Sequence, residues 1–467
     1  MIPVLKGSRI SEQVRRQLAN TGAQIVETQG KTMIKKLTQE VDQLLLSNPT
    51  LRNQITYHLT PQASQQALLD AVKDAKKSFH IETFIWHNDD AGNELVQALA
   101  KRKAVAKEAG KDFDIKVLID SIGLRGGSGG SKDAVIVDKL KQSGIDVREF
   151  NSKFLSMEAK GIPLTHRKLY IADGEKFITG GRNIGNEYLK PQFQGANGLE
   201  NAWHDLLFTV HGDEAGRIQR EFFENWGRAG GAVPKIMPAA VPHATGMAKV
   251  QSIVTDPHAQ TFGIREAHSK AISNAQEEIV AIFPYFSDDK LVKDLIDAKA
   301  SNTAKRADLM KAARNKWDRK AIDQAVPELK VKVLLPGNKE ASREGSMYYH
   351  LNQESASQLL KGGVEVRFFD GGKIDGKDVA RFSHFKGMAV DGKLLSIGSA
   401  NADARTFGAN HELNTLISDK KAVKEFFDKI ITPDWNSARK ATLSEIQSAP
   451  LMDKVKRKFY EAVDFLL

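Results

Sequence analysis

Four stretches of this chain occur twice, in the same order and at nearly constant separation. Ala75–Trp86 (AKKSFHIETFIW) is echoed by Ala275–Phe286 (AQEEIVAIFPYF), each the end of a helix running into an apolar strand, at an offset of 200 residues. Phe113–Leu118 (FDIKVL) matches Leu329–Leu334 (LKVKVL) at 216, and Gly144–Phe150 (GIDVREF) matches Gly363–Phe369 (GVEVRFF) at 219. HRKLYIAD from His166 matches HFKGMAVD from His384 at 218. Such a chain is two copies of one unit. Apolar, β-rich runs alternating with helical patterns make that unit α/β, a mostly buried sheet flanked by helices.

The repeat sets the boundaries: an N-terminal helical region at 1–50, repeats at 51–232 and 248–435, a Pro/Ala-rich linker at 233–247, and a C-terminal helical region at 436–467. In the first region Val14, Leu18, Ile25, Ile34, Leu37, Val41 and Leu44 read as the apolar members of amphipathic helices. The jump in offset from 200 to 216 puts extra residues in the second copy between Phe286 and Leu329. They include a basic helix-like stretch, Lys305–Lys320, read either as a solvated face or as a lid or anionic contact. The tail from Met452 to Leu467 reads as an amphipathic helix with Val455, Phe459, Val463 and Leu466 on one face and Lys454, Lys456, Arg457 and Lys458 near its start. Packing onto the protein and contact with a membrane interface are its two readings.

Each copy carries one string: His, any residue, Lys, four residues, Asp-Gly, five residues, Gly, a small residue, any residue, Asn. The first is His166, Lys168, Asp173, Gly174, Gly180, Gly181, Asn183; the second is His384, Lys386, Asp391, Gly392, Gly398, Ser399, Asn401. His and Lys two apart share one face of a strand. Asp-Gly predicts a tight turn, after which a second strand returns Asn beside His. Two copies facing each other gather two imidazoles, two ammonium groups and two amides around one point. That set suits a phosphodiester, whose charge grows at the transition state. One neutral histidine can attack phosphorus while the other protonates the departing oxygen and then deprotonates the acceptor.

At these residues the chain resembles the phospholipase D superfamily, with two HxKxxxxD strings each followed by G(S/G)xN. FIWHNDDAG, GGRNIGNEY, WHDL at Trp203 and FPYF at Phe283 resemble its bacterial cardiolipin-synthase-like branch, over roughly residues 55 to 435. The resemblance implies two tandem phospholipase D-like α/β/α sandwich repeats packed face to face around one shared active site. It implies His166 as the nucleophile, His384 as general acid and then base, and Lys168, Lys386, Asn183 and Asn401 as ligands of the phosphoryl oxygens, with Ser399 adding a hydroxyl. Asp205 and Glu412, downstream of the two motifs, would orient the histidines by accepting an Nδ1 proton. Asp173 and Asp391 read as structural. The departures are Gly181 where the second motif has Ser399, and the lack of the N-terminal spans usual in membrane-embedded relatives.

The substrate class this implies is a phospholipid, its headgroup either hydrolysed off to leave phosphatidic acid or exchanged for an alcohol. These residues leave hydrolysis and transfer open. A metal-independent nuclease of the same superfamily is the alternative, and a non-catalytic scaffold a third reading. A net charge of +10 fits any anionic partner, lipid surface or nucleic acid. With both motifs in one chain a monomer would suffice. No cofactor or metal is expected: the chain has no Cys and no HExxH string. Without an apolar signal core or a run of the roughly 18–20 residues a span needs, the expectation is a cytoplasmic chain, or one exported by a signal-less route, with peripheral membrane contact.

Other signals are weaker. GGSGG at Gly126–Gly130 fits a serine-hydrolase expression but reads as a connector, and GGKIDGK at Gly371 has Asp378 where a phosphate-binding loop needs Ser or Thr. His58, His87, His204 and His268 read as ordinary structural or surface residues. Trp86, Tyr285 and Phe286 end strands near the expected site, as core or as pocket lining.

Overall fold

The computed structural model describes residues 4–6, 10–21, 23–28, 31–36, 46 and 48–463, apart from 127–129, 153–161, 196–197, 236–245, 338–344 and 375–376. Most of the linker, the middle of the GGSGG stretch (127–129), Leu37, Val41, Leu44 and Leu466 lie outside the described residues.

Seven strands recur in each half. In the first they are β1 (Thr50–His58), β2 (Ser78–Thr83), β3 (Asp114–Asp120), β4 (Asp146–Phe150), β5 (Leu169–Ala172), β6 (Lys176–Gly180) and β7 (Leu207–Gly212). In the second they are β8 (Ala248–Asp256), β9 (Glu278–Ile282), β10 (Lys330–Pro336), β11 (Glu365–Phe369), β12 (Gly387–Val390), β13 (Leu394–Gly398) and β14 (Glu412–Ile417). One continuous sheet runs β11-β10-β9-β12-β13-β14-β8-β1-β7-β6-β5-β2-β3-β4, with Arg439–Lys440 beyond β11. The order reads the same from either end, so the repeats are related by an approximate two-fold through the β1–β8 seam.

Within each half the outer three strands are parallel and the rest antiparallel. Helices cover both faces, which explains why β5 (LYIA), β12 (GMAV) and β14 (ELNTLI) are buried at every position. At the seam Asn53, fully buried, donates to Ala248 O at 3.2 Å and accepts from Glu214 N at 3.1 Å. Backbone groups that the irregular register there leaves unpaired are satisfied in this way.

The Asp-Gly turns fall where the spacing put them. Asp173 and Gly174 have φ of 57° and 69°, Asp391 and Gly392 of 55° and 61°, the left-handed region that Asp and Gly tolerate. Each aspartate also clamps the start of its neighbouring strand. Asp173 accepts from the backbone N of Lys76, Lys77 and Ser78 at 2.7–2.9 Å, and Asp391 from Gln276, Glu277 and Glu278 at 2.7–3.1 Å.

The N-terminal region corrects the helical expectation. Among its described residues Glu12–Ala19 is helical, whereas Val4–Lys6, Ala23–Thr28 and Lys31–Lys36 form a three-stranded antiparallel sheet. Ala23–Thr28 and Lys31–Lys36 pair antiparallel with Ile25 opposite Ile34, so these two residues belong to paired strands rather than to a helix face. Val14 and Leu18 are buried against Ala321 and Ile322.

Those partners lie in the insertion, where Lys305–Lys320 is split between helices Asp289–Ala312 and Lys316–Ala325, Asn315 capping the second through Trp317 N and Asp318 N. Asp318 accepts from Ser11 N and Oγ at 2.7 and 2.8 Å. The insertion is thus a platform for the N-terminal helix, its lysines at 305, 311, 316 and 320 facing solvent. Among the described residues, no helix is long and apolar enough to cross a membrane.

Candidate active site

His166 and His384 sit just before β5 and β12, in segments that reach across the two-fold. His166 N donates to His411 O at 3.0 Å and His411 N to Leu164 O at 2.7 Å; on the other side His204 N donates to Phe382 O at 2.7 Å and His384 N to His204 O at 2.9 Å. Backbone of each half therefore fixes the histidine of the other. The side chains follow the same exchange. His166 Nδ1 is 2.8 Å from Glu412 Oε1, and His384 Nδ1 is 2.7 Å from Asp205 Oδ2. Asp205 and Glu412 do meet the histidines, each paired with the motif of the opposite repeat. Both carboxylates are buried, as is His384, while His166 keeps 13% of its side chain exposed.

Lys168 Nζ donates to His166 O at 2.8 Å and Lys386 Nζ to His384 O at 2.7 Å, so each ammonium lies beside its own histidine. Lys386 Nζ is also 3.0 Å from the His384 ring nitrogens and 3.9 Å from Asp205. Asn183 donates to Tyr188 Oη at 3.1 Å. The amide oxygens of Asn183 and Asn401 are both buried without a hydrogen-bond partner, an unmet capacity at the same position of both repeats that suits a bound ligand.

Ser399 departs from its expected place at the phosphate. Its hydroxyl donates to Glu412 Oε2 and accepts from Leu413 N at 3.0 Å, so it holds the carboxylate that holds His166. Gly181, its counterpart, has no room for a side chain: a Cβ there would lie 2.2 Å from Asp205 Oδ2. The difference between the motifs thus goes with Asp205 on one side and Glu412 on the other.

The electrostatics set the resting protonation. Burial holds His166 well below the usual imidazole range, with Lys168, Lys386 and Arg405 adding to the effect. Burial and Lys386 bring His384 down to about 3, against the pull of Asp205. Burial pushes Glu412 up to about 8, although Lys168 and Ser399 oppose it. For Asp205 burial also raises the pKa, but Lys386, His384 and Arg182 together outweigh it and leave the group below the ordinary value. At neutral pH the two imidazoles are therefore neutral beside two ammonium groups, and an anionic diester would be drawn by the lysines and would favour imidazolium.

Aromatic rings crowd one histidine. Trp203, Tyr188, Phe382 and Tyr285 have centroids 4.9, 5.8, 6.1 and 6.3 Å from His384, while Phe84 packs edge-on to His166 at 5.1 Å. Of the three strand-end aromatics singled out in the sequence, Tyr285 reaches the site and Trp86 and Phe286 are core. Tyr188 and Trp203 carry a signal in hindsight: they lie in GNEYL and WHDL, just beyond Asn183 and just before Asp205.

The four histidines read as structural or surface residues in the sequence each have a partner. His58 meets Thr209, His268 meets Ser396, His204 meets Asp434, and His87 lies between Asp133 and Glu187 at 2.6 and 2.8 Å. Among the described residues, Asp256, His258 and His411 form the one cluster of metal-ligand types. The rings of His258 and His411 are 22° from parallel with Nδ1···Nε2 at 2.8 Å, an imidazole–imidazole hydrogen bond, and Arg228 holds Asp256 at 2.8 Å. One ring thus donates to the other, which engages one imidazole lone pair, and Arg228 brings a cation to the carboxylate.

The family described as "Cardiolipin synthase, PLD-like domain" matches residues 68–226 and 269–435, one match per repeat. A cardiolipin synthase of Listeria welshimeri is 26% identical over 387 residues, covering 82% of this chain and 69% of that protein. The major cardiolipin synthase of Bacillus subtilis is 27% identical over 401 residues, covering 84% and 70%. The crystal structure of phosphatidylserine synthase from Haemophilus influenzae superposes with a TM-score of 0.61 at 15% identity over 91% of this chain and 99% of that one, a likeness of fold. With its two matched repeats and paired motifs, the chain belongs to the cardiolipin-synthase-like branch of the phospholipase D superfamily.

Proposed function

We propose that this chain is a phosphatidyltransferase that works through a covalent phosphohistidine on His166. The observation that carries this is the crossed pairing, which gives each histidine a carboxylate on Nδ1 and leaves Nε2 for chemistry. His166, neutral and the more accessible of the two, attacks phosphorus through Nε2. The bond from phosphorus to the headgroup oxygen breaks, and His384 delivers its proton to that oxygen. In the second step an acceptor alcohol gives its proton to His384 and its oxygen attacks phosphorus, breaking the N–P bond. Asp205, held ionised, favours the imidazolium form of His384 once the anionic diester is bound. Lys168, Lys386, Asn183 and Asn401 bind the phosphoryl oxygens as their charge grows. Asp173 and Asp391 hold the hairpins that bear these groups.

A phospholipid substrate is supported by the relatives, which are cardiolipin synthases. Transfer over hydrolysis is supported by the four rings around His384, which favour an alcohol over water on the side where the acceptor is activated. One chain supplies both half-sites, so a monomer is complete. The test is incubation with phosphatidylglycerol vesicles, with and without EDTA and a primary alcohol, followed by mass spectrometry of the lipids. Cardiolipin or a phosphatidyl alcohol is the expected product, in amounts that EDTA leaves unchanged. Phosphatidic acid alone would make the chain a hydrolase; intact lipid beside cleaved DNA would make it a nuclease.

A further inference from the structure

The C-terminal helix turns an apolar edge away from the protein. Two helices matter: α1 (Gly345–Lys361) and α2 (Leu451–Val463), which packs on it. Packing onto the body would bury Val455, a member of the apolar stripe in the sequence. Instead Val455 is 55% and Met452 65% exposed, three residues apart and so neighbours on one helical face. Among the described residues, polar groups tie α2 down. Arg457, 8% exposed, donates to Ile446 O at 2.9 Å. Tyr460 stacks on His350 of α1 at 5.8 Å, and Asp453 Oδ1 lies 3.8 Å from His350 Nε2. Lys454 and Lys458 border the exposed pair and are themselves exposed.

Its position gives the edge a purpose. Tyr348, in the first turn of α1, stacks on Tyr285 at 3.7 Å, and Tyr285 lies 6.3 Å from His384. His350, two residues further on, holds α2. The helix therefore lies across α1 from the site, at the end of the sheet where the histidines sit.

We propose that α2 is a membrane-docking element: Met452 and Val455 enter the interface of an anionic phospholipid bilayer while Lys454 and Lys458 meet lipid phosphates, setting the shared site against the lipid it takes. The phospholipid reading of the site underlies this. An anionic rather than a zwitterionic surface is selected by the two lysines, each raising binding about fivefold near such a surface, and by the net charge of +10.

The test compares the full chain with Met452→Asp/Val455→Asp and with Lys454→Glu/Lys458→Glu, after circular dichroism melts show each variant folded. Wild type sediments with mixed phosphatidylglycerol/phosphatidylcholine vesicles, less so as salt is added. Both variants are expected to partition at least about tenfold more weakly and to lose vesicle turnover in step, while turnover of a monomeric short-chain phosphatidylglycerol stays within about twofold of wild type. Undiminished vesicle binding by the Met452/Val455 variant overturns the proposal. So does a wild type that ignores vesicles and dimerises through this face, seen by sedimentation equilibrium as dimers the variant cannot form. If wild type binds vesicles as expected but leaves the short-chain lipid intact, docking stands and the catalytic reading falls.

Discussion

His384 takes its carboxylate from the other half of the chain: its Nδ1 lies 2.7 Å from Oδ2 of Asp205, 179 residues earlier. Asp205→Asn keeps the shape but offers an amide that can donate, so the ring is free to turn its proton to Nε2, the wrong tautomer for taking a proton there. The expected result is a fall in kcat of about 10²- to 10⁴-fold with an almost unchanged melting temperature. Glu412→Gln should act on formation of the covalent intermediate instead, because its partner is His166. Single-turnover measurements separate the two, and identical defects in one step would contradict the crossed assignment.

Loss of either histidine should abolish turnover, but by different routes. In His166→Ala no phosphoryl group should attach to the protein. In His384→Ala an activated substrate whose leaving group needs no proton should still label His166, and the label should persist because nothing activates the acceptor. Each variant is expected to lose at least about 10²-fold. Intact-protein mass spectrometry reads the label, and more than about a tenth of wild-type turnover in either would end the two-histidine mechanism.

Asp391 is in the motif yet turned away from the chemistry, its carboxylate accepting from three successive backbone N–H groups. Asp391→Ala leaves those donors unmet and puts a less tolerant residue at positive φ. The loss should be about 2 to 4 kcal/mol of stability, with kcat of the folded fraction within about twofold of wild type. Denaturant unfolding beside active-site titration distinguishes this from a catalytic role.

What could be read in the chain was what is local. His-x-Lys, the Asp-Gly turn and the returning strand lie within 18 residues, and the backbone there has little choice. The crossed pairs needed the two-fold relation between repeats, which spacing inside one copy cannot carry: WHDL and NHEL each follow the motif they do not serve. Position in the motif puts Ser399 at the phosphate, and only the fold shows its hydroxyl donating to Glu412. The aromatic surround of His384 comes from four separate segments, at Tyr188, Trp203, Tyr285 and Phe382. Ile25 and Ile34 are as compatible with a helix face as with a strand, and the pairing of Ala23–Thr28 with Lys31–Lys36 decides for strands.

Two buried histidines outside the site should shape stability on opposite sides of neutrality. Burial brings His268 from 6.5 down to about 4. Between those values the unfolded chain binds the extra proton, so stability falls as pH drops through this window and levels off below it, by up to about 3 kcal/mol. His87 is the reverse: burial opposes its charge, but Asp133 and Glu187 outweigh that and raise it to about 10. The folded chain keeps a proton the unfolded chain has lost above 6.5, so this contribution is full below 6.5 and fades as pH rises toward 10. Melting temperature against pH should peak near neutrality, His268→Gln should flatten the acid limb, and His87→Gln the alkaline limb. An unchanged acid limb in the first variant would show that other groups set it.

Gly181 and Ser399 hold equivalent positions, and the carboxylates opposite them explain why they differ. A side chain at 181 would meet Asp205 Oδ2 at 2.2 Å, whereas the Ser399 hydroxyl hydrogen-bonds Glu412. Gly181→Ser should therefore push Asp205 off His384 and lower kcat about as much as Asp205→Asn, by about 10²-fold or more. Adding Asp205→Glu rebuilds the pairing of the second repeat, since the extra methylene lets the carboxylate lie alongside a serine and still reach the ring. The double variant should recover at least about tenfold over Gly181→Ser alone, a coupling of about 1.4 kcal/mol in transition-state terms. Purely additive losses would show that the two positions do not answer to one another, and would leave the asymmetry of the motifs without a physical cause.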